Sequence, residues 1–186
     1  MLLRIWLTKI LLPLIKLVSK IAKPEPLCTF ADVEAIRGQI SPGDFIVSKE
    51  NWHLSNILVK GFWTHIAIYV GGGWVLEATP PKVRLVKLEQ HIYQKDHVAF
   101  GSPMFPVDRS KIPGLVADYD GDIYDYSFIG SNEMWYCAEL VYDIYKRIAP
   151  DMPFKMNKSM GVETVIPEDF YLAKDKFKVL YEVKRT

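Results

Sequence analysis

"THIAIYVGGGWVLEA", residues 64–78, is the stretch whose reading decides the fold. Short apolar runs flank Gly71, Gly72 and Gly73, positions with the positive-φ freedom that a tight turn needs. The pattern predicts a β-hairpin with strands over 64–70 and 74–78. Residues of equal parity share one face of a strand. If Tyr69 pairs with Gly73, His65 stands directly opposite Glu77. If Val70 pairs with Trp74, Glu77 faces Ala67 and lies diagonal to His65, about 7–8 Å away in Cα terms and within side-chain reach. Either register puts a histidine and a carboxylate on one face. An odd register separates them.

On both sides of the hairpin the chain continues in short apolar strands. "ISPGDFIVSK" (40–49) reads as a turn into a strand, and "KVRLVKL" (82–88) and "HVAFGSP" (97–103) as further strands of the same sheet. "FKVLYEV" (177–183) reads as the last one. "DRSKIPGLVADYDG" (108–121) predicts a helix interrupted by Pro113 and Gly114. Strands run together with helices at either end, without βαβ alternation, predict an α+β fold: an antiparallel sheet packed against helices.

The second informative stretch is "SNEMWYCAELVYDIYKRI", residues 131–148. Leu140, Val141, Ile144 and Ile148 recur at helical spacing, and Cys137 lies one turn before Val141. A thiol near the first turn of a helix sits in the positive end of the helix dipole. A cysteine nucleophile needs a base to take its proton, because an ordinary thiol with a pKa of about 8.5 is mostly protonated at neutral pH. An imidazole supplies that base, and a carboxylate fixes the tautomer and orientation of the ring. Cys137, His65 and Glu77 are each unremarked alone: a cysteine on an apolar helix face is most often core, and a strand histidine or hairpin glutamate is most often structural. Together they predict a triad.

Composition sets outer limits. The 186 residues suffice for one domain with a sizeable core. A net charge of +1 gives no reason to expect a nucleic-acid partner. Two cysteines, Cys28 and Cys137, have no metal-ligand spacing and make no disulfide framework, which leans to a reducing, cytoplasmic compartment.

The first 23 residues, "MLLRIWLTKILLPLIKLVSKIAK", stand apart. Their lysines fall in one narrow helical sector, with Leu, Ile and Trp6 over most of the rest. No uncharged run approaches the ~18–20 residues a membrane span needs, and no small-residue cleavage site follows. The segment reads either as a basic amphipathic helix on an anionic membrane surface or as a helix packed on its own domain or on a second copy. The expected division is residues 1–25 as helix and linker and 26–186 as catalytic domain.

"GDFIVSK…WTHIAIYVGGGWVLEATPPKVRLVKL…DYDGDIYDYSFIGSNEMWYCAELVYDIYK…VIPEDFYL" resembles the permuted papain-like amidases of the YiiX/YaeF type, relatives of the NlpC cell-wall hydrolases. Gly43-Asp44 matches the family's opening Gly-Asp, His65 the histidine that begins H-x-x-I-Y-x-G, and Glu77 the glutamate of the next strand. Tyr124-Asp125 and "YCAEL" (136–140) match the motifs around the cysteine, with Ala138 where the family usually has serine. The resemblance spans roughly residues 40–172 and implies a circularly permuted papain-like (NlpC-like) fold, in which histidine and glutamate precede cysteine.

It implies a cysteine hydrolase that cleaves an amide or ester bond through a thioester, with Cys137 as nucleophile, His65 as base and Glu77 as orienting residue. No cofactor or metal is implied. The expected substrate is a small-molecule, peptide or lipid acyl compound. A lipid-directed acyltransferase resembling the lecithin:retinol-acyltransferase type is the first alternative, and Glu77 argues against it because those relatives use a second histidine. A non-catalytic membrane-associated binding module is the other. Trp63, Tyr69, Trp135 and Tyr136 flank the expected site as substrate-cleft candidates, with core packing the commoner fate of such residues. His53 and His91 read as surface residues, and "KLEQHIYQKDH" (87–97) as a solvated segment.

Overall fold

The computed structural model describes residues 25–51, 59–126, 134–159 and 162–185. Residues 1–23 and His53, about which the sequence raises expectations, lie outside the described residues. In chain order come α1 (Phe30–Arg37), β1 (Phe45–Lys49), β2 (His65–Gly71), β3 (Trp74–Thr79), β4 (Lys82–Lys87), α2 (Leu88–Ile92) and β5 (His97–Pro103). A 3₁₀ turn over Arg109–Lys111 leads into α3 (Ile112–Tyr119). Then follow β6 (Ile123–Tyr124), β7 (Met134–Trp135), α4 (Cys137–Ile148), β8 (Asn157–Ser159), β9 (Val162–Thr164), α5 (Pro167–Leu172) and β10 (Phe177–Val183).

Among the described residues eight strands form one sheet in the order β10-β5-β1-β2-β3-β4-β6-β7, while β8 and β9 pair separately. All pairings in the large sheet are antiparallel except β6 with β7, so the sheet is mixed where the sequence predicted antiparallel. The parallel pair is short: β6 and β7 are two residues each, with Ile123 against Met134 and Tyr124 against Trp135.

Strand alternation builds two cores, one on each face. Phe45, Val47, Ile66, Ile68, Leu76 and Ala78 join α3, α4 and α5 in the larger cluster. Ile46, Ala67, Tyr69, Val75 and Phe100 join α1 and α2 in the smaller. Both faces of the central strands are thus buried. Helix α4 supplies Leu140, Val141, Ile144 and Ile148 to the larger core, each of which stabilises by about 1.5–3 kcal/mol when fully buried.

Helix α3 differs from expectation. Pro113 does not interrupt it but stands in its first turn, where a missing N–H leaves no helical bond unmade. Among the described residues no helix is long and apolar enough to cross a membrane.

Candidate active site

The β2–β3 hairpin takes the diagonal register. Ile68 pairs with Leu76 and Tyr69 with Val75, and the register then shifts before Gly71 meets Trp74. One step further along each strand sets Glu77 against Ala67, with His65 on the diagonal. The two side chains span that diagonal, His65 Nε2 lying 3.0 Å from Glu77 Oε2. The β3–β4 hairpin places Arg84 directly across from Glu77. Its guanidinium donates to Glu77 Oε1 through Nε at 3.0 Å and Nη2 at 2.8 Å.

Cys137 reaches the cluster from the other layer. It is the first residue of α4, with Tyr136 as N-cap in extended conformation, so its side chain stands at the helix's positive end. Its thiol hydrogen-bonds to His65. Because Nε2 of His65 is engaged by Glu77, Nδ1 is the ring nitrogen left for the sulfur. His65 opens β2, and at that strand end its ring meets both Glu77 and Cys137. The structure therefore brings Cys137, His65 and Glu77 into one chain of contacts. Ala138, beside the thiol, is fully buried.

Electrostatics follow from the contacts. Burial opposes the charged form of His65, but hydrogen bonds to Cys137 and Glu77, with the negative charge on both, raise it from 6.5 to about 9. Burial likewise opposes ionisation of Glu77, yet hydrogen bonds from His65 and His91 hold its carboxyl well below the usual range. The ring of His65 is thus set to be cationic and the carboxylate anionic at neutral pH. Burial pushes the Cys28 thiol up to about 12, with the charge of Asp32 adding to it. Among the described residues Cys28 has no imidazole base of this kind.

His91 corrects the sequence reading. It is 2% exposed, not a surface residue, and its Nδ1 lies 2.9 Å from Glu77 Oε2. The segment 87–97 is not simply solvated either: Leu88 and Ile92 belong to the smaller core, and Lys95, Asp96 and His97 are buried. The spacing Leu88, His91, Ile92 is that of one helical face, and it was the available signal. Arg84 could be read only once the two-residue turn at Pro80 and Pro81 fixed the register of β3 against β4.

The four cleft candidates are all buried. Trp63 lies wholly in the larger core against Phe62 and Tyr171. Tyr69 belongs to the smaller core, and its hydroxyl accepts the Gly73 N–H at 3.0 Å, at the turn end of the hairpin. Trp135 and Tyr136 precede Cys137 directly; Trp135 Nε1 donates to Asp122, and the Tyr136 hydroxyl accepts from Val165 N–H. Tyr124, near the thiol, is pushed well above the usual tyrosine range by burial and by the charges of Cys137 and Asp125.

Residues 39–180 match the model of a family described as permuted papain-like amidase enzyme, YaeF/YiiX, C92 family. Among solved structures, the metalloprotein YiiX from Escherichia coli O157:H7 shares the fold with a TM-score of 0.65 at 17% identity. The match covers 79% of this chain and 99% of that one. No curated protein matches the chain.

Proposed function

The chain belongs to the permuted papain-like amidase family, and from that premise we propose that it hydrolyses an amide or ester bond with Cys137 as nucleophile, His65 as base and Glu77 as orienting carboxylate. The observation that carries this reading is the single imidazole in contact with both the thiol and the carboxylate.

Cys137 Sγ attacks the acyl carbon while its proton rests on His65 Nδ1. The oxygen of the tetrahedral intermediate takes up the negative charge, and the role of donor to it falls to first-turn amides of α4, which lack intrahelical acceptors. Collapse breaks the bond to the amine or alcohol, which leaves with the proton from His65. Water then attacks the thioester and gives a proton to the same nitrogen. That proton stays on the ring as sulfur leaves the acid as thiolate, which restores the starting pair. Glu77 accepts from Nε2–H throughout and keeps Nδ1 aimed at the sulfur.

A metal does not suit this cluster. Ligand atoms of His65, Glu77 and His91 lie within 4.8 Å of one another. Yet both imidazoles approach the same carboxylate oxygen, at 3.0 and 2.9 Å, as hydrogen-bond donors do. Arg84 already balances the charge of that carboxylate on its other oxygen. Zinc at about 2.0–2.1 Å would need bare lone pairs on both ring nitrogens where N–H groups now point. The metal for which the YiiX structure is named supplies no step here.

The test is a panel of acyl donors (peptide, N-acyl amino acid and lipid ester) offered to wild type and to Cys137→Ala, with mass spectrometry of the intact protein. An acyl adduct on Cys137 that decays to free acid, and no turnover by Cys137→Ala, is the expected result. Adduct decay only when an amine or alcohol acceptor is added would assign acyl transfer instead. Turnover by Cys137→Ala would end the proposal.

A further inference from the structure

Glu77 carries more partners than the orientation of one histidine requires. Its Oε2 stands between two imidazole nitrogens, Nε2 of His65 at 3.0 Å and Nδ1 of His91 at 2.9 Å. Its Oε1 is forked by Arg84. Both oxygens are therefore committed, and the carboxylate has no freedom to turn about its terminal bond.

His91 is the unusual member. Its side chain is fully buried, and it presents Nδ1 to the carboxylate from α2, an element that belongs to the core layer opposite α4. Burial favours its neutral form. A neutral ring with its hydrogen on Nδ1 has its lone pair on Nε2, and among the described residues Nε2 has no hydrogen-bond partner. Buried polar atoms are rarely left so, and an apolar side chain would fill the same space without the orphaned atom. What an apolar side chain lacks is the Nδ1–H. A neutral donor also adds no second positive charge, so the anion stays available to the imidazolium of His65.

We infer that His91 is a positioning residue, whose Nδ1–H fixes Glu77 Oε2 in the place from which it aligns His65 on Cys137. The inference rests on the proposed triad and assigns to this site a fourth side chain. Glu77, His65, Arg84 and Lys95 are the charged groups that bear on His91, the first three through the shared carboxylate and Lys95 from the end of its own segment.

The experiment compares His91→Leu, His91→Asn and His91→Gln with wild type in the full chain. It uses hydrolysis of p-nitrophenyl acetate and NMR titration of the His65 ring. Asn carries an N–H donor at the position of Nδ1, whereas Gln carries it at the position of Nε2. His91→Leu and His91→Gln should lower kcat about tenfold with KM within twofold, and the titration of His65 should fall from about 9 towards 6.5. His91→Asn should stay within threefold of wild type on both readouts. If Leu prevents folding, the contrast of Asn with Gln decides. Equal losses in Asn and Gln would mark a merely structural role, and a His65 titration unchanged or raised would show that His91 only competes for the carboxylate. Either overturns the inference, as would one equivalent of tightly bound zinc that the His91 variants lose. Ester turnover by Cys137→Ala at the wild-type rate would instead defeat the triad itself, so the two failures are distinct.

Discussion

Glu77 of β3 and Arg84 of β4 are register partners across the hairpin, and the guanidinium forks one oxygen of the carboxylate while two imidazoles share the other. The buried anion is thereby compensated from three elements. Removing one partner of a fully buried pair costs about 3–5 kcal/mol. The Arg84 side chain is 43% exposed, so water takes over part of its role, and Arg84→Met should cost only about 1–2 kcal/mol. Urea unfolding at pH 7 measures it. No loss of stability would mean the histidines alone suffice.

The same contacts set the pH dependence of stability. Glu77 titrates well below 4.5 in the folded chain, so its contribution is present above 4.5 and is lost as pH falls through the lowered folded value. His65 is raised from 6.5 to about 9, so its contribution is complete below 6.5 and is lost as pH rises through 9. Thermal melts of wild type and His65→Gln should therefore differ most below pH 6.5 and converge towards pH 9. A difference that grows with pH would reverse the assignment of charge to this ring.

Cys28 and Cys137 are each 6% exposed, which removes access as an explanation for any difference in reactivity. Cys28 is pushed up to about 12 by burial, whereas Cys137 stands at a helix start against His65. Iodoacetamide at pH 7 should alkylate Cys137 on the order of 100-fold faster than Cys28. His65→Ala should suppress that preference, since the base is gone. Peptide mapping of the alkylated protein reads both sites at once, and equal labelling in wild type would remove the case for an activated thiol.

How much of this was legible in the sequence follows from which forces act locally. Turn glycines and strand parity were enough to bring His65 and Glu77 to one face, and the diagonal register is one of the two that keep them there. Helical spacing sufficed for α4 and the inward side of Cys137. The motifs at Gly43-Asp44, His65, Glu77 and Cys137 sufficed to point to the permuted papain-like family, whose model matches residues 39–180. His91 was hidden because Lys87, Glu89, Gln90 and Lys95 around it suggest a solvated run, while a five-residue helix is too short for its buried face to stand out. Trp63 and Tyr69 took the fate that is commoner for such residues, core packing, over the cleft that they were candidates for. Large aromatic side chains suit both a cleft and a core, and only packing against Tyr171, Phe62 and the hairpin turn decides.

Residues 1–23 give the last prediction, which rests on sequence alone. Four lysines in one sector, each worth roughly 1 kcal/mol near an anionic surface, together with a broad face of Leu and Ile, suit an interfacial helix. The full chain should bind phosphatidylglycerol vesicles and leave phosphatidylcholine vesicles untouched. Binding should weaken as salt screens the lysines, because the attraction falls off within a Debye length of about 8 Å at physiological ionic strength. Deleting residues 1–23 should abolish binding while iodoacetamide still labels Cys137 at the wild-type rate, since the cluster of Cys137, His65 and Glu77 is built from later elements. Sedimentation with vesicles measures the first outcome and alkylation the second. Absence of vesicle binding, combined with a lower melting temperature or a changed oligomeric state on deletion, would show that the apolar face is covered by protein instead.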